Sequence, residues 1–245
     1  MRVVLSRKGV DSTAGACASV IHDGRCLSLP IPVPDAYPSR LRYRDMGLPL
    51  PVEDLSGGAL GSDRLCHPDP AFHGGMAVLG QVDAAQSHLE NQQVGPGDVF
   101  LFFGLFREGQ RKTHRIFGYL KVHEVRRLGR RPKPDTLIGL PWAHPHTEGD
   151  IAHWPENNTV YIGAGATNAP AHDALRLTHP QGALTRWQVP EWLARCGLSY
   201  HANPSRWSVP GELSAVSRGQ EFVAPIGTDT AAKDWLDHTI SLIRH

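Results

Sequence analysis

Apolar and polar positions alternate in short runs that end at Gly or Pro, so the pattern predicts strands before helices. Residues 2–6 form a β-rich run that Lys8-Gly9 ends, predicting a strand that opens into a loop. Asp23-Gly24 separates Val20-Ile21-His22 from the Cys26–Leu29 run, the pattern of a tight hairpin. Residues 30–75 carry little periodicity, and Pro30, Pro32, Pro34 and Pro38 hold the chain extended; a stretch of this kind commonly covers a site. Residues 81–90 predict a helix with Val82, Ala85 and Leu89 on one face, stopped by Pro96-Gly97. Two β-rich runs at 98–106 and 115–125 flank a polar connection and predict a central antiparallel pair. Thr159–Ile162 and Glu221–Val223 read as further strands. A helix is expected from Pro190 to Arg195, with Pro in its first turn, and another over 231–243 with Trp235, Ile240 and Ile243 near one face.

Composition narrows the class. The 25 Gly and 20 Pro are roughly half as many again as average usage, which excludes a long helical bundle. Hydrophobic residues at 40% exclude a disordered chain. The expectation is a strand-rich, loop-rich α+β fold, one mixed domain over 1–245. A central antiparallel sheet or partly open barrel carries a few short helices and a C-terminal helix. The net charge of +1 argues against a polybasic coat or membrane anchor. The four cysteines contain no Cys-x-x-Cys pair, so a zinc ribbon is not expected. The apolar run at the start is too short for a signal peptide, and no stretch approaches the roughly 20 residues of a membrane span. A cytoplasmic protein with reduced thiols follows as the expectation.

Fourteen histidines draw attention to imidazole chemistry. His67-Pro-Asp69-Pro-Ala-Phe-His73 sets two imidazoles and a carboxylate in a proline-stiffened segment, and His144-Pro-His146 brackets a proline with two more. With Asp11 these groups offer the N and O donors of a divalent iron, manganese or zinc site through His67, Asp69, His73, His144 and His146. Without metal, Asp11, His67, Asp69, His144 and His146 equally suit proton transfer; each motif alone also fits ordinary core or surface histidines. Ser6–Thr13 follows the first strand with Gly9, two cations and hydroxyls, so Arg7, Lys8 and Ser12 are candidate ligand contacts, or the segment is a plain charged turn. Trp142 beside the second His pair can stack on a planar ring. Asn157 and Asn158 can read a base edge or simply tolerate a turn. Gln220 and Glu221, after Arg218, can anchor a ligand or close a salt bridge. Arg107, Arg111, Lys112 and Arg115 fall between the central strands, and Arg126, Arg127, Arg130, Arg131 and Lys133 follow the second strand. Hairpin spacing is expected to bring both groups to one end of the sheet as a nucleic-acid contact, although solvated loop charge explains them as well.

Residues 7–13 resemble the phosphate loop of ATP pyrophosphatases, Ser-Gly-Gly-x-Asp-Ser, with Arg7 and Lys8 where that family has Ser and the first Gly. Several runs in order along the chain resemble the nucleotide modification-associated domain 3 family. These are Leu5–Ser12, Leu27–Pro32, His67-Pro-Asp-Pro70, Gly97–Gly104, Ile116–Leu120, His144-Pro-His146, Asn157–Tyr161 and Arg218–Val223. That resemblance implies a role in modifying nucleic-acid bases, with a nucleotide or nucleic acid as partner and no membrane. Residues 97–128 also resemble the centre of PUA-like barrels, which bind RNA or modified bases. Three readings follow: an enzyme acting on a nucleobase, nucleoside or nucleotide; a non-catalytic reader of modified bases; and an ATP-pyrophosphatase-like enzyme using the loop 7–13.

Overall fold

A computed structural model describes the chain except residues 36, 38–39, 133–138, 149–153 and 218. Pro38, Lys133 and Arg218 therefore lie outside the described residues. In chain order the elements begin with β1 (Val3–Arg7), β2 (Ser19–His22), β3 (Arg25–Leu27), β4 (Ile31–Pro32), α1 (Val52–Ser56), β5 (Cys66–His67), β6 (Ala71–His73) and β7 (Met76–Gln81). They continue with α2 (Asp83–Asn91), β8 (Val99–Glu108), β9 (Arg111–Arg127) and β10 (Thr159–Ala166). The last are β11 (Arg186–Gln188), α3 (Glu191–Cys196), β12 (Glu212–Ser214), β13 (Glu221–Ala224) and α4 (Thr230–Arg244).

The main sheet runs β13-β1-β8-β9-β10-β7-β6, with the β2–β3 hairpin attached to the end of β8, and it curls into a half-barrel. The expected strand-rich α+β class is the one observed. The sheet is mixed: β1 pairs with β13 antiparallel but with β8 in parallel, Val3 opposite Val99. A parallel neighbour is why β8 reads as a continuous apolar run, buried on both faces from Val99 to Phe106. Alternate residues of β1 divide two cores. Val3 and Leu5 join Leu101, Phe103, Trp187 and Phe222 beneath α3 and α4, whereas Val4 joins Phe100, Phe102, Leu120 and Tyr161 with Leu89 of α2. Each buried phenyl of β8 contributes about 1.5–3 kcal/mol. A third cluster of Val10, Leu29, Tyr43, Leu55 and Cys66 packs the aperiodic segment onto the sheet.

The elements expected from sequence all form, several with longer bounds, but the helix expected over 81–90 begins at Asp83, because Gln81 ends β7 and Val82 is the extended N-cap. The Asp23-Gly24 turn joins β2 and β3, both residues at positive φ. Pro190 stands at the N-cap of α3 rather than within its first turn. The C-terminal helix buries Ala232, Leu236, Thr239 and Ile243, with Trp235, Ile240 and Leu242 packed beside them.

The two basic groups do not share one end of the sheet. Strands β8 and β9 meet at the Gly109-Gln110 turn, so Arg107, Arg111 and Lys112 mark one end of the 17-residue β9, and Arg126 and Arg127 mark the other. In a hairpin the turn lies at one end and the free ends of both strands at the other, so the turn cations and those that follow β9 are held apart by the length of that strand. Arg115 is no loop cation: it is fully buried in β9, donating to both carboxylate oxygens of Glu108 at 2.9 Å and to the His172 carbonyl at 3.2 Å.

His114 of β9 packs edge-on against Phe103 and Trp187, and burial with the nearby Arg7 charge pushes its imidazole down to about 4. The unfolded chain protonates this group near pH 6.5, the folded chain only near 4, so its contribution is full above pH 6.5 and is lost as the pH falls toward 4. Urea unfolding at pH 7.5 and 4.5 should show the wild type losing about 3 kcal/mol more than His114→Gln. Equal losses in the two proteins would remove His114 from the acid response.

Candidate functional site

Asp69 sits at the entrance to β6, where that strand stops covering the edge of β7. Gly80, one residue from the end of β7, consequently has a backbone N–H on an open edge, and it donates to Asp69 Oδ1 at 2.8 Å. The carboxylate is buried, its side chain 4% exposed. The short β4–β5 ladder sets His67 opposite Ile31, two residues before Asp69. The turn 144–147 brings in the other pair: the His146 N–H donates to His144 Nδ1 at 3.3 Å, and the Thr147 N–H and hydroxyl both reach the His144 carbonyl at 2.8 Å. Three imidazoles then converge on one carboxylate. His144 Nε2 lies 3.2 Å from Asp69 Oδ1, and His67 Nε2 and His146 Nε2 lie 3.7 and 3.8 Å from Oδ2.

The hydrogen bonds assign the protons. His144 Nδ1 accepts a backbone N–H, so its proton is on Nε2 and points at Asp69. Asn158 Nδ2 donates to the carbonyls of His146 at 3.0 Å and Gly129 at 3.4 Å, which turns its Oδ1 to His146 Nδ1 at 2.7 Å. That oxygen only accepts, so His146 carries its proton on Nδ1 and a lone pair on Nε2. Burial pushes His146 down to about 3 against the pull of Asp69, which keeps it neutral. For Asp69, burial works upward. The His144 hydrogen bond, the His67 contact and the neighbouring imidazoles outweigh it and hold the carboxyl well below its usual range. His67 Nδ1 is buried without a partner among the described residues. The His67, Asp69 and His146 donor atoms all lie within 4.8 Å of one another.

Trp154 stacks on His146 at 4.5 Å, and Tyr37 meets His67 edge-on at 5.5 Å. On the other side Asp69 lines a cleft of about 220 Å³ with Lys8, Ser28, Phe72, Trp142 and Asn168. The indole N–H of Trp142 is buried and unpartnered among the described residues. This pattern of residues spans most of the sequence. The profile of nucleotide modification associated domain 3 matches residues 2–225. The chain belongs to that family. No curated protein and no solved structure matches it.

Against the family motifs, the remaining sequence candidates separate. His73 ends β6 exposed, opposite Met76, and stands outside the cluster, because the strand carries it away from Asp69. Asp11 is also apart: its carboxylate accepts the N–H groups of Thr13 and Ala14 at 2.7 and 2.8 Å within its own loop. Those of Lys8, Val10 and Asp11 bond Phe103, Leu29 and Ala14 carbonyls, which leaves the loop 7–13 without the free N–H nest of a phosphate cradle. Arg7 lies over Phe103 and donates to the Ser217 carbonyl, while Ser12 is exposed. Asn157 clamps the start of α2, bonding Asp83 through both amide atoms. Arg107 reaches the Leu55 carbonyl, Arg127 the Glu156 carbonyl, and Arg130 the Glu156 carboxylate; Arg126 pairs with Glu124. Arg111, Lys112, Arg131 and Gln220 are exposed.

Sequence reasoning missed Trp154, Gly80 and Gln81. Gly80 had a signal, an isolated glycine inside an apolar strand, which marks a close approach. A Cβ there would run into the His146 ring. Gly80→Ala should therefore lower stability by about 1–3 kcal/mol and change Trp154 fluorescence as the stacked imidazole moves. Unchanged fluorescence and Tm would show that the ring does not rest on this glycine.

Proposed function

We propose that the family member described here is a metal-dependent enzyme acting on a nucleobase, nucleoside or nucleotide, with His67, Asp69 and His146 as the metal ligands. The observation that carries this reading is an unfavourable contact. The His146 Nε2 lone pair faces the negatively charged Asp69 Oδ2 at 3.8 Å with no proton between them. Two acceptors turned toward each other repel, and the arrangement is relieved by a cation between them. His67 Nε2 completes a donor set of two imidazoles and one carboxylate, which suits iron(II), manganese(II) or zinc(II) and leaves positions open for water or substrate.

The supporting shell is the kind that orients ligands. A His ligand normally donates its other ring N–H to a fixed acceptor, and Asn158 is that acceptor for His146. His144 braces Asp69 rather than acting as a ligand, because its Nε2 carries the proton. A bound ion would supply Lewis acidity or an activated water. The chain's own groups position the substrate: the cleft beside Asp69 offers Trp142 as a stacking surface, and Lys8, whose ammonium is paired with Glu221, forms part of its wall. The nucleotide class of substrate is supported by the family alone. Open coordination positions on the proposed ion favour an enzyme over a module that only reads modified bases.

Calorimetric titration of metal-stripped protein with zinc(II), manganese(II) and, anaerobically, iron(II) should give about one ion per chain. His67→Ala and His146→Ala should abolish binding, and His144→Gln should weaken it by about 10–100-fold. Mass spectrometry of bases from DNA, RNA and free nucleotides should then detect a change that requires the ion. A wild-type protein that binds none of the three metals would sink the assignment.

A further inference from the structure

Strand alternation sends Gly80 and Gln81 to opposite faces of β7. Gly80 supports the histidine cluster, whereas Gln81 points into the half-barrel, on the side of Ala77 and Leu79. There its Nε2 donates across the open seam of the sheet to Glu221 Oε1 of β13 at 2.5 Å. The Ser6 hydroxyl and Lys8 Nζ donate to that same oxygen, each at 3.0 Å. Glu221 is 2% exposed, yet its Oε2 accepts nothing from any described residue. No described residue donates to Gln81 Oε1 either. Two adjoining side chains thus each present an acceptor oxygen without a donor, in a network where every donor is turned to Glu221 Oε1. For the buried Glu221 Oε2, the lack of a donor is a standing unfavourable contact.

Both residues line a cleft of about 410 Å³ with Asp83, His88, Tyr200 and Gln220. Tyr200 is 55% exposed and held at φ +65°, a conformation unfavourable for a large side chain. The Ser199 ladder fixes it: the Ser199 N–H donates to the Val223 carbonyl at 2.9 Å, and the Val223 N–H donates to Ser199 Oγ at 2.8 Å. The His88 ring backs the tyrosine at 4.5 Å, and His88 Nε2 is 3.0 Å from the same Ser199 hydroxyl. An exposed aromatic ring braced from behind is a stacking platform.

We propose that this cleft is a second binding site, separate from the histidine cluster, that holds a nucleobase with two adjacent N–H donors, as guanine has at N1 and its 2-amino group. Glu221 Oε2 accepts from the 2-amino group and Gln81 Oε1 from N1–H, and the base lies against Tyr200. Adenine and cytosine present a donor beside an acceptor on the corresponding edge, and uracil a donor between two acceptors, so each leaves a repulsive contact. Inosine lacks the 2-amino group and leaves one acceptor unpaired.

The test is titration of the full chain with guanosine, inosine, adenosine, cytidine and uridine 5′-monophosphates. Guanosine monophosphate should bind at least about tenfold tighter than the inosine form. Tyr200→Ala, at an exposed position, should weaken it about tenfold with no fall in Tm. Glu221→Gln should erase the preference between the two purines. His67→Ala should retain full affinity, which separates this site from the proposed metal site whatever becomes of the latter. Equal affinity for guanosine and inosine monophosphates, no binding of either, an undiminished Tyr200→Ala protein, or tighter binding of arginine amide than of guanosine monophosphate would each overturn the proposal.

Discussion

The Asp69 carboxylate is the constraint around which the rest of this molecule is arranged. A buried anion is costly unless hydrogen bonds and positive groups surround it. Here one backbone N–H from the edge of β7 and one imidazole N–H satisfy Oδ1, while Oδ2 faces two further imidazoles. Each partner comes from a different part of the chain. Gly80 belongs to the sheet, His67 to the short ladder beside it, and His144 and His146 to a turn far along the sequence. The aperiodic segment can lie over the sheet because its own small core of Val10, Leu29, Tyr43 and Cys66 ties it down next to that carboxylate.

Strand β7 makes the two faces of the half-barrel chemically different. Its even-numbered Gly80 gives the His146 ring room on one side, and Gln81 closes the curled sheet to β13 on the other. Lys8 links the regions: it lines the cleft beside Asp69, and its ammonium meets Glu221 at 3.0 Å. The substrate class proposed for this polar arrangement comes from membership in the nucleotide modification associated domain 3 family, and the proposed chemistry from the donor geometry. Among the described residues no helix is long and apolar enough to cross a membrane.

Much of the fold was legible in the sequence, because periodicity reports local structure. The Asp23-Gly24 hairpin, the β8–β9 pair and the C-terminal helix are all short-range features, set by turn chemistry or by side-chain spacing. The parallel pairing of β1 with β8 was not legible, since it joins residues almost a hundred positions apart and leaves only a run of apolar residues as its trace. At the site, His67, Asp69, His144 and His146 stood out through their neighbouring prolines, and the fold brings all four together. His73, in the same motif, does not join them, since proximity in sequence says nothing about which way a strand leaves. Arg115 read as one more loop cation, because the Glu108 pairing that permits its burial depends on the register of two strands. Asn157 and Asn158 attracted attention for their amides, but those amides are occupied in holding α2 and His146.

The His144-Pro-His146 motif joins two imidazoles with opposite protonation patterns. One offers its outer nitrogen as a donor and the other as a lone pair, and the difference is imposed by a backbone N–H in the first case and by Asn158 in the second. The two histidines are therefore not chemically interchangeable. A relative with glutamine at position 144 preserves the donor that braces Asp69, while glutamine at 146 would remove the ring lone pair altogether. Divergence in this family should be read asymmetrically: change at the first histidine alters how firmly the carboxylate is held, and change at the second, or at Asn158, alters the kind of site it is.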